Sequence, residues 1–113
     1  MHWIHLTSED QLQNIVVRSE EKPQVIFKYS SRCFLSDVIF KRLQQKSCPE
    51  QVDFYFLDII SYCKLSDAVA GKFHVQHESP QVLVIKDGEC VFDESHSQIN
   101  MEEILEQAIE TIQ

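Results

Sequence analysis

Apolar and polar positions along this chain switch between two periods. Residues 24–29 (Gln-Val-Ile-Phe-Lys-Tyr), 52–60 and 81–85 are compact runs rich in β-branched and aromatic residues, which predicts buried strands. Residues 3–6 form a shorter apolar stretch that predicts an edge strand. Asp87-Gly88 is a hairpin turn signal, so residues 89–92 predict the returning strand. Between these runs the spacing becomes helical. Leu12, Ile15 and Val16 recur behind Thr7 or Ser8 as a cap, with Glu9 and Asp10 favouring the positive end of the helix dipole and Pro23 as a stop. From Cys33 onward, Leu35, Val38, Ile39 and Leu43 mark one helical face and Lys41, Arg42, Gln44 and Gln45 the other, with Cys48-Pro49 as the stop. Leu65, Ala68, Val69 and Phe73 predict a third helix, which Gly71 weakens slightly. Met101, Ile104, Leu105, Ala108, Ile109 and Ile112 predict a fourth.

The order is therefore β-α-β-α-β-α-β-β-α. Strands that alternate with helices are parallel and joined by crossovers, while the closing hairpin adds antiparallel strands at one side. The fold class is α/β, a three-layer sandwich with a mixed central sheet flanked by helices. Residues 1–113 fit a single domain. With two glycines and three prolines, the chain has little material for flexible linkers.

Charge narrows the function classes. The formal net charge is −8, from 18 acids and 10 bases, with no basic run to meet phosphates or an anionic membrane surface. Nucleic acid and membrane are therefore not the expected partners, and a soluble monomer is. The N-terminus Met1-His2-Trp3-Ile4-His5 lacks the regions of a signal peptide, so a cytoplasmic location is expected. In that reducing setting the four cysteines, Cys33, Cys48, Cys63 and Cys90, read as thiols rather than structural bridges. His74 and His77 are closely spaced, but no second pair follows at zinc-like intervals, and no metal is expected.

Chemistry concentrates at Cys33. It sits where a central strand gives way to a helix, and a helix N-terminus stabilises a thiolate, the form that attacks disulfides. Arg32 is adjacent and can add positive charge. Ser36, three residues on, can donate a hydrogen bond to the thiolate but cannot form a disulfide, so Cys33-Phe34-Leu35-Ser36 points to monothiol chemistry. Ser79-Pro80 opens the third long strand, and its bond is either cis or the commoner trans form. The blander readings are a packed, inert Cys33 and a Ser36 that is only a first-turn residue.

The stretches from Phe27 to Ser36 and from His77 to Gln81, together with Asp87-Gly88-Glu89, His96 and Ile99, resemble the bacilliredoxin-like YtxJ family over nearly the whole chain. The resemblance implies a thioredoxin-like fold with Pro80 facing Cys33. It also implies a monothiol oxidoreductase that removes bacillithiol, or a similar low-molecular-weight thiol, from mixed disulfides on proteins. That small thiol would be a co-substrate, with no bound cofactor. Cys33 and Ser36 would be catalytic; Arg32, Phe34, Ser79 and Pro80 would line the substrate site. The family motif usually reads Thr-Cys-Pro-Ile-Ser, whereas this chain has Arg32 and Phe34 on either side of the cysteine.

Two other readings compete. One is a noncatalytic thioredoxin-like binding module, encouraged by Phe34 in place of proline. The other is a glutaredoxin-like or dithiol enzyme in which Cys63 resolves Cys33, which would require close Cα atoms.

Overall fold

The computed structural model describes residues 2–109, and Ile112 of the sequence-predicted helical stripe lies outside the described residues. The elements run β1 (Ile4–His5), α1 (Glu9–Arg18), β2 (Gln24–Tyr29), α2 (Phe34–Gln44), β3 (Asp53–Asp58), α3 (Cys63–Phe73), β4 (Gln81–Lys86), β5 (Glu89–Ser95) and α4 (Met101–Ile109). They build a five-stranded sheet in the order β1-β3-β2-β4-β5. The three N-terminal strands are parallel, and β4 and β5 are antiparallel additions beside β2.

The sheet separates two cores because side chains along a strand alternate between its faces. Val25 and Phe27 of β2 pack with Ile39 and Leu43 of α2 and with Met101, Ile104 and Ala108 of α4. Ile26 packs the other way, with Leu12 and Ile15 of α1 and Leu65, Val69 and Phe73 of α3. The result is helix, sheet, helix, with β2 in the middle.

Local chemistry sets the boundaries. Ser8 and Gln11 form a capping box at the start of α1. Asp87 and Gly88 both take positive φ, at 53° and 79°, the backbone that a tight two-residue hairpin demands.

Three boundaries differ from the sequence expectation. α2 ends at Gln44 rather than at Cys48-Pro49: Gln44 to Ser47 are polar and exposed, and the Gln45 and Lys46 N–H groups tighten onto the carbonyls of Arg42 and Leu43. β3 stops at Asp58, whose carboxylate accepts the Ile60 and Ser61 N–H groups and turns the chain. β5 continues to Ser95 because its ladder reaches Gln81, the first residue of β4, although its outer half is polar. A turn of 3₁₀ helix, His96–Gln98, follows it.

An aromatic cluster anchors α2 to the sheet. Phe40 of α2 stacks on Phe27 at 6.0 Å and meets Phe56 and Trp3 at 4.9 and 5.6 Å. With its middle held this way, the N-terminus of α2 has a fixed place at the C-terminal end of β2.

Candidate active site

Cys33 is the N-cap of α2, in extended backbone at φ −116° and ψ 112°. The Ser30–Arg32 turn that precedes it is held by the Cys33 N–H on the Ser30 carbonyl (3.1 Å) and the Arg32 N–H on Ser30 Oγ (3.2 Å). The Cys33 side chain makes no capping hydrogen bond as a thiol, and the Ser36 N–H, which donates to the Cys33 carbonyl at 3.0 Å, is held next to the sulfur. Its pKa is lowered, chiefly by the Ser36 N–H. Burial opposes the shift, and the Ser36 hydroxyl and the Leu35 N–H add to it. Arg32, next to the thiol in sequence, is exposed, and the groups that lower Cys33 are those of Ser36 and Leu35.

Ser36 is wholly buried behind the thiol. Its Oγ accepts the Ser30 N–H at 3.2 Å and lies 3.3 Å from Ser79 Oγ. Ser79 leads into Pro80 through a cis peptide bond, and Pro80 is buried where β4 begins. The Pro80 carbonyl accepts the His96 N–H at 2.9 Å, which ties this segment to the end of β5. The sheet thus brings Cys33, Ser36, Ser79 and Pro80 to one end. Phe34 stands beside the thiol with 84% of its surface exposed.

The other cysteines differ. Cys33, Cys48, Cys63 and Cys90 are all free, so Cys63 makes no bridge to Cys33 in this structure. Cys63 is exposed at the first turn of α3. Burial raises the Cys48 thiol and pushes Cys90 up to about 11. Among these three, two are biased toward the unreactive thiol, the opposite of Cys33.

Sequence reasoning missed Lys28, the penultimate residue of β2. It has no exposed surface, and its Nζ lies 3.1 Å from His77 Nδ1 in the segment that leads to Ser79. The signal was a lysine inside an otherwise apolar run.

A thiol lowered in pKa at a helix start, with serine rather than cysteine one turn later, can exchange with a disulfide but cannot close a bridge within its own motif. Known proteins with this architecture are numerous. A thioredoxin-fold protein to which an oxidoreductase role has been ascribed is 33% identical, with a TM-score of 0.79 over 95% of this chain and 93% of its own. The thioredoxin of Malassezia sympodialis is 17% identical with a TM-score of 0.76, covering 95% of this chain and 91% of that one. A mutant thioredoxin of Halobacterium salinarum is 14% identical with a TM-score of 0.73, covering 97% and 93%. The last two are similar in fold alone, and together the three place this chain in the thioredoxin fold. The family model for the monothiol bacilliredoxin BrxC matches residues 4–104, almost the whole sequence and all of the site just described, and the chain therefore belongs to the monothiol bacilliredoxin BrxC family.

Proposed function

We propose that this protein is a monothiol thiol–disulfide oxidoreductase that strips a low-molecular-weight thiol such as bacillithiol from proteins. The Cys33 thiolate attacks the small-thiol sulfur of a mixed disulfide. The protein leaves as a thiolate, and the small thiol is held on Cys33 as a new disulfide. A second small-thiol molecule, as thiolate, then attacks that disulfide, releasing a small-thiol disulfide and restoring the Cys33 thiolate. Each step breaks one S–S bond and forms one. The first-turn N–H groups and Ser36 stabilise the thiolate, and Ser79 and Pro80 form the wall along which an extended substrate lies. Phe34 and Arg32 flank the entrance. The protein works as a monomer in a reducing cytoplasm and needs no bound cofactor.

The observation that carries this reading is the lowered thiol of Cys33 with Ser36, not a second cysteine, as its main stabilising neighbour. The test uses a bacillithiolated protein with free bacillithiol as the resolving thiol. Wild-type protein should release the modification and show a bacillithiol adduct on Cys33 by mass spectrometry, and Cys33→Ser should do neither. Full transfer by Cys33→Ser would sink the assignment. A Cys33–Cys63 bridge after oxidation would replace it with the dithiol route.

One feature favours a second reading. Phe34 is a large apolar side chain left 84% exposed, as a docking residue would be. A noncatalytic binding module would keep Phe34 and have no need of a thiolate. A Cys33 that titrates at or above the free-thiol value of about 8.5 would support it.

A further inference from the structure

Lys28 is a charge in the centre of the sheet that thiol exchange does not directly use. It pairs in register with Leu57 of β3 and Gln81 of β4, and none of its surface is exposed. A buried ammonium needs acceptors. Lys28 Nζ finds two: the Ser66 carbonyl of α3 at 3.3 Å and His77 Nδ1 at 3.1 Å.

This geometry decides the state of His77. An ammonium has only N–H donors, so Nδ1 must accept and the imidazole proton must sit on Nε2. The Ser66 hydroxyl, 3.3 Å from the same Nδ1, is a second donor within reach of it. Burial and the pair's own repulsion outweigh the acidic groups around it. Burial lowers the Lys28 amine to about 8, with Asp67 of α3 pulling it back up. Burial and then the Lys28 charge lower His77, with Asp67 and Glu78 opposing. Near neutral pH the arrangement holds one cation, on Lys28, facing a neutral imidazole. The rest of the His77 ring is exposed, so protons reach it freely.

His77 is two residues before Ser79. The intervening Glu78 pairs with His96 at 3.2 Å, and Gln81 Nε2 bonds back to the Gln76 carbonyl at 2.9 Å. The Lys28–His77 contact is a side-chain tether from this segment to the central strand on the α3 side, beside the Lys28–Gln81 strand pairing, while Ser36–Ser79 joins it to α2.

We propose that Lys28 and His77 are positioning residues for exchange at Cys33: the buried ammonium grips the neutral imidazole and so holds the 77–80 segment in place, and protonation of His77 releases that grip. The proposal rests on the functional reading above and adds an acid sensitivity to substrate docking that does not come from the thiol. A protonated His77 loses its acceptor and faces Lys28 as a second cation, so the segment that carries Ser79 and Pro80 loosens as pH falls.

The test compares His77→Leu, which leaves Lys28 with one acceptor fewer, with His77→Gln, whose amide oxygen still accepts but does not titrate. For a bacillithiolated protein, His77→Leu should raise KM about tenfold while the rate of Cys33 alkylation by iodoacetamide stays at the wild-type value. His77→Gln should restore KM at neutral pH and abolish its rise at acid pH. The rise should persist in His96→Gln, which separates it from titration of the neighbouring histidine. An unchanged KM in His77→Leu, or an acid limb that survives in His77→Gln, overturns the proposal. Nitrogen-15 NMR decides the matter without any turnover. The Nε2–H tautomer is expected, with the Ser79 and Gln81 amide shifts following the His77 titration. The Nδ1–H tautomer would defeat the proposal even if exchange activity is present. Absence of exchange with the NMR result intact would fault only the functional reading.

Discussion

Ser36 Oγ and Ser79 Oγ lie 3.3 Å apart, so the first turn of α2 and the residue before Pro80 share a hydrogen bond across 43 positions of sequence. The same Ser36 oxygen accepts the Ser30 N–H, and Ser30 belongs to the turn that delivers Cys33. One buried hydroxyl thus links the thiol's approach, its helix and the wall opposite. It also stabilises the thiolate, and this double duty makes it the sharpest place to probe the site.

Ser36→Ala should raise the Cys33 pKa, because the hydroxyl is lost while the Ser36 and Leu35 N–H groups remain. The rise should be partial, since the largest contributor is the backbone. The buried Ser30 N–H is left without its acceptor, which should cost about 1–3 kcal/mol of stability. The pH dependence of thiolate absorbance near the ultraviolet edge reads the first effect, and urea denaturation reads the second.

Three of the four thiols should react in a defined order. With limiting iodoacetamide at neutral pH, Cys33 should be modified well before Cys48 and Cys90, because its pKa is lowered while burial raises theirs. Cys90, at about 11 and tucked into the β4–β5 hairpin, should be last. Peptide mapping after short exposures measures the order, and Cys90 labelled at the rate of Cys33 would contradict the site geometry.

The sequence makes β2 and β4 legible because dense apolar runs admit few alternatives, and it makes the α2 face legible through its 3.6-residue spacing. Cys33 and Ser36 are legible as one turn of helix. The far half of β5 is not: Asp93, Glu94 and Ser95 are polar, and only the ladder to β4 holds them as strand. Ser36 meeting Ser79 is not legible either, since nothing local to either residue encodes a contact across the sheet. Lys28 looks like an ordinary strand lysine that snorkels to solvent. Its burial becomes visible only once α3 and the 77–80 segment close over it.

Lys28 should also reveal itself in stability. Its folded pKa is about 8 against 10.5 for the free amine, so between those values the unfolded chain binds more protons and stability rises with pH. Below about pH 8 the cost of keeping the ammonium buried is fully present, at about 3 kcal/mol. Lys28→Met removes that cost but strips a donor from the Ser66 carbonyl and His77, so a net gain of about 1–2 kcal/mol at pH 7 is expected. Denaturation at pH 7 and pH 9 should show a more stable variant whose stability no longer climbs. A residue with a purely structural role would instead destabilise the fold on removal.

Asp53 provides the contrast at the opposite end of the sheet. Burial works to raise its carboxyl pKa, but hydrogen bonds from Arg18, Gln24 and Lys22 outweigh it and hold the group below its ordinary 3.8. Stability from this cluster is therefore present above pH 3.8 and lost as pH falls through the lower folded value. Asp53→Ala should cost about 1–3 kcal/mol at neutral pH and remove this acid limb, with Cys33 alkylation unchanged. Urea denaturation across pH 2.5–6 tests it, and a variant as acid-labile as the parent would refute it.

Phe34 separates the demands of helix and substrate. It is the first helical residue of α2, where an N–H has no partner within the helix and proline's fixed φ is already suitable. Phe34→Pro should therefore leave the fold intact and stabilise it by about 0.4–1 kcal/mol through the unfolded chain. The stabilising N–H groups at Cys33 belong to Leu35 and Ser36, so the thiol should keep its lowered pKa. What disappears is an aromatic ring that is 84% exposed beside the sulfur. If that ring receives an apolar side chain of the modified protein, KM for the protein substrate should rise about tenfold, the lower end for a lost aromatic contact, while reaction with a small disulfide stays unchanged. Equal losses toward both substrates would show instead that Phe34 shapes the thiol itself.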